Sequence, residues 1–153
     1  YKGLVTATAF SGDGSALTGI SSGLSNKFHA WGVNSVGSAA GWRTINFSTE
    51  TVDDDNKFNH TSGTYTVPAT GNYVLFAGHY HNNGLHNDYR IRFYSNTNGT
   101  LASTSAVDGD RVTTSGIMAL TINEVIRVDV YHGNNAHSDA GTRGSFFGGY
   151  RLI

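Results

Sequence analysis

Residues 63–76, GTYTVPATGNYVLF, form the stretch around which the rest of the chain is organised. Tyr65 and Val67 fall on one side of an extended backbone and Thr64 and Thr66 on the other, the period-two pattern of a half-buried strand. Pro68, the only proline in the sequence, has no N–H to donate and ends that ladder. With Gly71 it brackets a turn, after which Asn72 to Phe76 resumes as an apolar strand. The stretch therefore predicts two strands joined by a tight corner.

Composition extends this to the whole chain. Its 153 residues suit one domain plus an appendage, with enough chain to bury a core. Twenty glycines, eight tyrosines and eight phenylalanines, among many Thr, Ser and Asn residues, describe short strands and turns, an all-β composition. Ten basic and eleven acidic residues leave a formal charge of −1, so the chain lacks the overall positive field that nucleic acid or an anionic membrane surface requires. No apolar run approaches the roughly 20 residues that cross a bilayer, so membrane insertion is not expected. Tyr1 follows no signal peptide, and the residues read as part of a longer chain. With no cysteine there are neither disulfides nor thiolate metal sites, and oligomerisation is the remaining staple for a protein outside the cell.

In chain order, residues 1–25 read as an extended segment ending in the Ser/Gly-rich joint Ser21 to Ser25, and residues 26–153 as the globular part. Strands are expected at Phe28 to Val33, Thr44 to Phe47, Gly63 to Val67, Asn72 to His81, Asp88 to Ser95, Leu101 to Val107, Ile117 to Ile122, Glu124 to Tyr131 and Ser145 to Ile153. Tyr89, Ile91 and Phe93 oppose Arg90, Arg92 and Tyr94; Ile126, Val128 and Val130 oppose Arg127, Asp129 and Tyr131. Short strands every roughly 8 to 12 residues, separated by Asn/Gly/Asp/Ser turns, predict an antiparallel two-sheet sandwich or jelly roll.

Two resemblances sharpen this. Val5 to Ile20, VTATAFSGDGSALTGI, closely resembles the short repeats of bacteriophage tail-fibre stalks, especially those of marine phages, although only one copy is present. From Phe28 to Ile153 the chain resembles the globular head of the complement-one-q family, which shares the tumour-necrosis-factor-like jelly roll. The matching segments include Phe28-His29-Ala30-Trp31-Gly32-Val33, Ile45-Asn46-Phe47, the Gly63 to Tyr73 corner, Ile91-Arg92-Phe93-Tyr94, Ser115 to Leu120, Ile126 to Tyr131 and Phe146-Phe147-Gly148. Asn123-Glu124 replaces the family's usual Gly-Asp, and Tyr150-Arg151 interrupts its apolar closing strand. The resemblance implies a homotrimer with one sheet of each protomer around a threefold axis and binding loops at one end. Threefold repetition turns weak contacts into avidity. Together the two resemblances imply a non-enzymatic receptor-binding head at the distal, extracellular end of a virion's tail fibre, recognising a host cell-surface glycan or outer-membrane protein. A trimerisation cap that never touches a receptor is the alternative.

Several residues invite chemistry. His79-Tyr80-His81 sets two imidazoles on one face of a strand at a spacing that chelates a transition metal, which in a trimer would sit on the threefold axis; packing at a subunit interface is the competing reading. His86 lies just beyond, and His132 and His137 read as loop residues. Asp53-Asp54-Asp55 is a candidate calcium loop because complement-type heads often bind calcium near their apex, but it lacks the spaced ligands and glycine of an EF-hand and better suits a solvated turn. Asp108, Asp110 and Asp139 carry the same ambiguity. Trp42, Tyr80 and Tyr94 can supply flat apolar faces to a sugar, with Asn82, Asn83, Asn87 and Asn134 as hydrogen-bonding groups. A cupin-like metal enzyme is the rival from another class, but no glutamate follows His81 at the required interval.

Overall fold

The computed structural model describes residues 24–33, 40–80, 88–106, 111–133 and 144–152. They form eleven strands: β1 (Leu24–Trp31), β2 (Gly41–Thr44), β3 (Thr49–Asp53), β4 (Phe58–Asn59), β5 (Thr64–Thr66), β6 (Gly71–Tyr80), β7 (Tyr89–Ser95), β8 (Gly99–Ala106), β9 (Arg111–Leu120), β10 (Val125–His132) and β11 (Phe146–Leu152). One sheet has the order β3-β1-β11-β6-β9 and the other β4-β5-β10-β7-β8, with β2 also paired to β10. All pairings are antiparallel, so the two-sheet jelly roll expected from sequence is present.

The corner carries the chain from one sheet to the other. β5 lies in the six-stranded sheet and β6 in the five-stranded one, so Pro68 to Thr70 spans the gap between layers. Tyr65 and Val67 are buried as their alternation requires. The corner is tied from beneath: the Tyr73 hydroxyl donates to the Ala69 carbonyl at 2.7 Å, and burial raises the pKa of that phenol, keeping it a donor. Gly63 has φ +68°, and a Cβ there would overlap the Ile45 carbonyl oxygen, so the corner's first residue must be glycine.

Between the layers the aromatic side chains pack as one cluster. The Phe28 ring stacks on Tyr65 with centroids 3.8 Å apart and meets Phe147 edge-on at 4.9 Å; Phe47, Phe58 and Phe93 surround the same ring of Phe147 at about 6 Å. β11 runs down the middle of its sheet between β1 and β6, which is why the last strand of the chain supplies the centre of the core.

Five elements depart from the sequence reading. β3 and β4 were not anticipated, because TETVD has a single apolar residue, Val52, and β4 is two residues long. β9 begins six residues before its expected start, since its first half turns Val112 and Thr114 inward with a threonine where a hydrophobe would have signalled a core face. The second strand ends at Thr44, although Ile45 and Phe47 beyond it are fully buried. β1 starts at Leu24, which pairs with Leu152.

The Asn123-Glu124 departure is accommodated as its chemistry allows. Asn123 adopts φ +68° in the turn between β9 and β10. Glu124 is 3% exposed and accepts hydrogen bonds from the Ser95 hydroxyl, the Asn98 amide (2.8 Å) and the Thr121 N–H (3.0 Å). Burial alone would raise its pKa, but these three donors outweigh burial and hold it below the ordinary 4.5. A depressed carboxylate stabilises the fold above its unfolded pKa and ceases to do so as pH falls through the folded value. Glu124→Gln is therefore expected to cost about 2 kcal/mol at pH 7 in urea unfolding. The gap from the parent protein should close as pH falls through the depressed folded value of Glu124; a gap independent of pH would show that charge contributes nothing at this turn.

Candidate functional site

The outer face of the six-stranded sheet is built from the polar halves of the alternating strands. Register places its side chains in cross-strand rows: Trp42, Tyr131 and Arg90; then Thr44, Asp129 and Arg92; then Thr64, Arg127 and Tyr94. Ser105, Ser103 and Thr100 of β8 extend the three rows in turn.

These rows interlock. The Arg92 guanidinium lies 4.0 Å from the centroid of Trp42 and 4.6 Å from that of Tyr94, Arg127 sits 4.3 Å from the same Tyr94 ring, and Arg90 lies 5.2 Å from Tyr131. Tyr131 in turn packs against Trp42 at 5.4 Å. Guanidinium over an aromatic face is a cation–π contact worth roughly 0.5–2 kcal/mol. Beneath the stack Asp129, with its side chain 2% exposed, binds Arg92 and Arg127 at 2.9 Å each and accepts the Thr44 hydroxyl at 2.9 Å. The buried carboxylate is thus paired and fully hydrogen-bonded. Arg90 forks onto the exposed Asp88 through two bonds of 2.7 and 2.9 Å, a pairing that raises the Arg90 pKa.

Of the residues that the sequence offered as sugar contacts, Trp42 and Tyr94 come together here, on opposite sides of Arg92. Tyr80 does not join them: it ends β6 in the other sheet, with Arg111 lying 5.1 Å over its ring. Asn82, Asn83, Asn87 and Asn134 lie outside the described residues, as do His81, His86, His137, Asp108, Asp110 and Asp139. Sequence reasoning missed Arg90, Arg92, Arg127 and Asp129 as members of a site. Their signal was the alternation that exposes them, which was used only to find the core.

The histidine and aspartate expectations take different forms in the structure. His79 shares the inward face of β6 with Tyr73, Leu75 and Ala77, so it is enclosed within the sandwich, 1% exposed, and not on an outer sheet face where a threefold axis would pass. Its Nδ1 contacts the Tyr89 hydroxyl, and its ring lies 6.3 Å from that of His132. His132, expected in a loop, ends β10 and is equally buried. The three aspartates take separate partners: Asp53 accepts the Phe58 N–H at 2.7 Å, Asp54 pairs with Lys27 at 3.6 Å, and Asp55 accepts the Asn26 amide at 2.6 Å. Among the described residues no group of three or more His, Asp or Glu side chains converges as a metal site.

The other outer face, that of the five-stranded sheet, carries an apolar patch beside Ser115, Thr113 and His29. The Phe146 ring lies across Gly78 of the neighbouring strand, whose Cβ site is 2.7 Å from that ring, and Phe76 lies across Gly148 in the same way. Tyr150, Val74 and Ile117 form the next row, and Ile117 is 68% exposed. Glycines opposite aromatics keep this face flat.

Comparison with known proteins agrees with this architecture. The C1q domain matches residues 28–152. The chain belongs to the C1q domain family. Domains of this family are generally ligand-binding or trimerising modules and not enzymes. Among solved structures, this C1q domain is similar to murine APRIL at pH 5.0, with 15% identity, 82% of this chain and 98% of that one covered, and a TM-score of 0.66. The globular domain of zebrafish complement 1qA protein gives 13% identity, 84% and 98% coverage, and 0.62. The Eiger TNF from S. frugiperda gives 16% identity, 85% and 93% coverage, and 0.65. At such identities the likeness is one of fold. No curated protein matches the chain. Among the described residues no helix is long and apolar enough to cross a membrane.

Proposed function

We propose that this C1q domain is a homotrimeric, non-enzymatic receptor-binding head carried at the distal end of a bacteriophage tail fibre, recognising a host cell-surface glycan or protein. The observation that carries the reading is the contrast between the two outer faces. The five-stranded sheet presents Phe76, Phe146, Val74 and Ile117, an apolar surface suited to a second and third copy of the chain. The six-stranded sheet presents guanidinium, hydroxyl and aromatic groups, the composition of an interface hot spot. Packing the first around a threefold axis leaves the second outward in three copies, which suits a repetitive cell surface. The stalk-like stretch Val5 to Ile20 supports the fibre setting. A mere trimerisation cap has no use for the arginine-aromatic face.

Light scattering on the full chain is expected to give three times its 16.3 kDa mass, and the labelled protein is expected to adhere to whole cells of at least one strain in a panel of marine bacteria. A trimer that adheres to none favours the cap, and a monomer overturns both.

A further inference from the structure

The arginine-aromatic stack has a consequence for what it can bind. Flat ring faces were expected to receive a sugar, yet the faces of Trp42 and Tyr94 turned toward Arg92 are already covered by its guanidinium, and Tyr94 also carries Arg127. Each guanidinium takes up an electron-rich ring face, and the ring edges are electropositive. The exposed chemistry is therefore dominated by donors: the guanidinium of Arg127, whose side chain is 35% exposed, that of Arg90, which is 49% exposed, and hydroxyls of Ser103, Ser105 and Thr100. Of the five N–H groups of Arg127, Nε–H is the one bonded to Asp129, and its terminal nitrogens have no acceptor among the described residues.

Charge and spacing narrow the ligand. The face holds Arg90, Arg92 and Arg127 against Asp88 and Asp129, a net charge of about +1 in a chain whose formal total is −1. Net composition argued against polyanions, but it records amount and not place. One local positive charge is too little for nucleic acid, whereas each exposed guanidinium presents a fork of N–H donors that suits a carboxylate. The face already contains that pairing in Arg90 with Asp88, an exposed bridge of low worth that an incoming carboxylate can displace. Arg127 and Tyr131, the neighbour of Arg90, are four residues apart on β10, so the two forks lie about 13 Å apart along the sheet.

We propose that the outer face of the six-stranded sheet binds a carboxylate-bearing polysaccharide, with Arg127 and Arg90 each taking a carboxylate and the β8 hydroxyls, beside β7 at the sheet edge, meeting sugar oxygens. This rests on the reading of the chain as a receptor-binding head and names the class of receptor. The contacts are shallow and few, so affinity per face is low and the trimer supplies the rest.

The test uses the full chain in biolayer interferometry against polygalacturonate, neutral dextran and dextran sulfate. Polygalacturonate is expected to bind and dextran not to. The double variant Arg90→Gln/Arg127→Gln should bind polygalacturonate about tenfold or more weakly at unchanged oligomeric mass. Lys57→Gln, which removes an exposed charge beside β4, should bind as the parent does. Equal weakening in both variants would reveal unspecific attraction and overturn the proposal, as would a preference for dextran or for dextran sulfate over polygalacturonate. If no polysaccharide binds while labelled trimer still adheres to cells, the ligand class fails and the receptor-binding head stands. If neither occurs, both fall.

Discussion

Phe147→Ala is expected to remove about 3–5 kcal/mol of unfolding free energy, the cost of deleting a buried aromatic and leaving its cavity. The size follows from position. Phe147 is fully buried on the central strand of the five-stranded sheet, and its ring meets those of Phe28, Phe47, Phe58 and Phe93, which come from both layers. No small shift of one strand can refill the space, because the surrounding rings are themselves packed on one another. Against a total of roughly 5–15 kcal/mol, such a loss leaves the domain marginal. The thermal midpoint should fall by on the order of 10 °C. Phe147→Leu, which keeps most of the volume, should cost less than about 1.5 kcal/mol. Urea unfolding at one fixed protomer concentration checks both, since association adds its own stability. Similar costs for the two variants would place the centre of the core elsewhere.

The same core shows what a single sequence discloses. Tyr65, Val67 and Tyr73 alternate so cleanly around Pro68 that the corner and both flanking strands were legible, and the family resemblance supplied the order of the strands. The outward sets Arg90/Arg92/Tyr94 and Arg127/Asp129/Tyr131 were legible too, as positions. Their union was not, because it depends on β10 standing between β7 and β2, a pairing of strands more than thirty residues apart in the chain. His79 was misplaced for a related reason. A His-x-His spacing fixes a common face but not which face, and only the register of β6 with Tyr73, Leu75 and Ala77 shows that this face looks inward. β3 was invisible because an edge strand with one hydrophobe has no apolar side to betray it.

Ile117→Asp is expected to convert the proposed trimer to monomers while leaving each protomer folded. Ile117 is 68% exposed in the single chain, so an aspartate there meets water and disturbs nothing inside the sandwich. In a trimer built on the five-stranded sheet the same side chain is covered, in a row with Val74 and Tyr150. Burying an unpaired carboxylate costs about 3–5 kcal/mol, and threefold symmetry imposes that cost at every copy. Dissociation should therefore become favourable by at least about a hundredfold. Light scattering would then give the mass of one chain, and far-UV circular dichroism would keep the β signature. Arg127→Gln, on the opposite sheet, should leave the trimer intact. If Ile117→Asp still forms trimers, the flat aromatic face of Phe76 and Phe146 is not what holds the copies together, and the arginine-aromatic face loses the assignment of an outward surface that its receptor role requires.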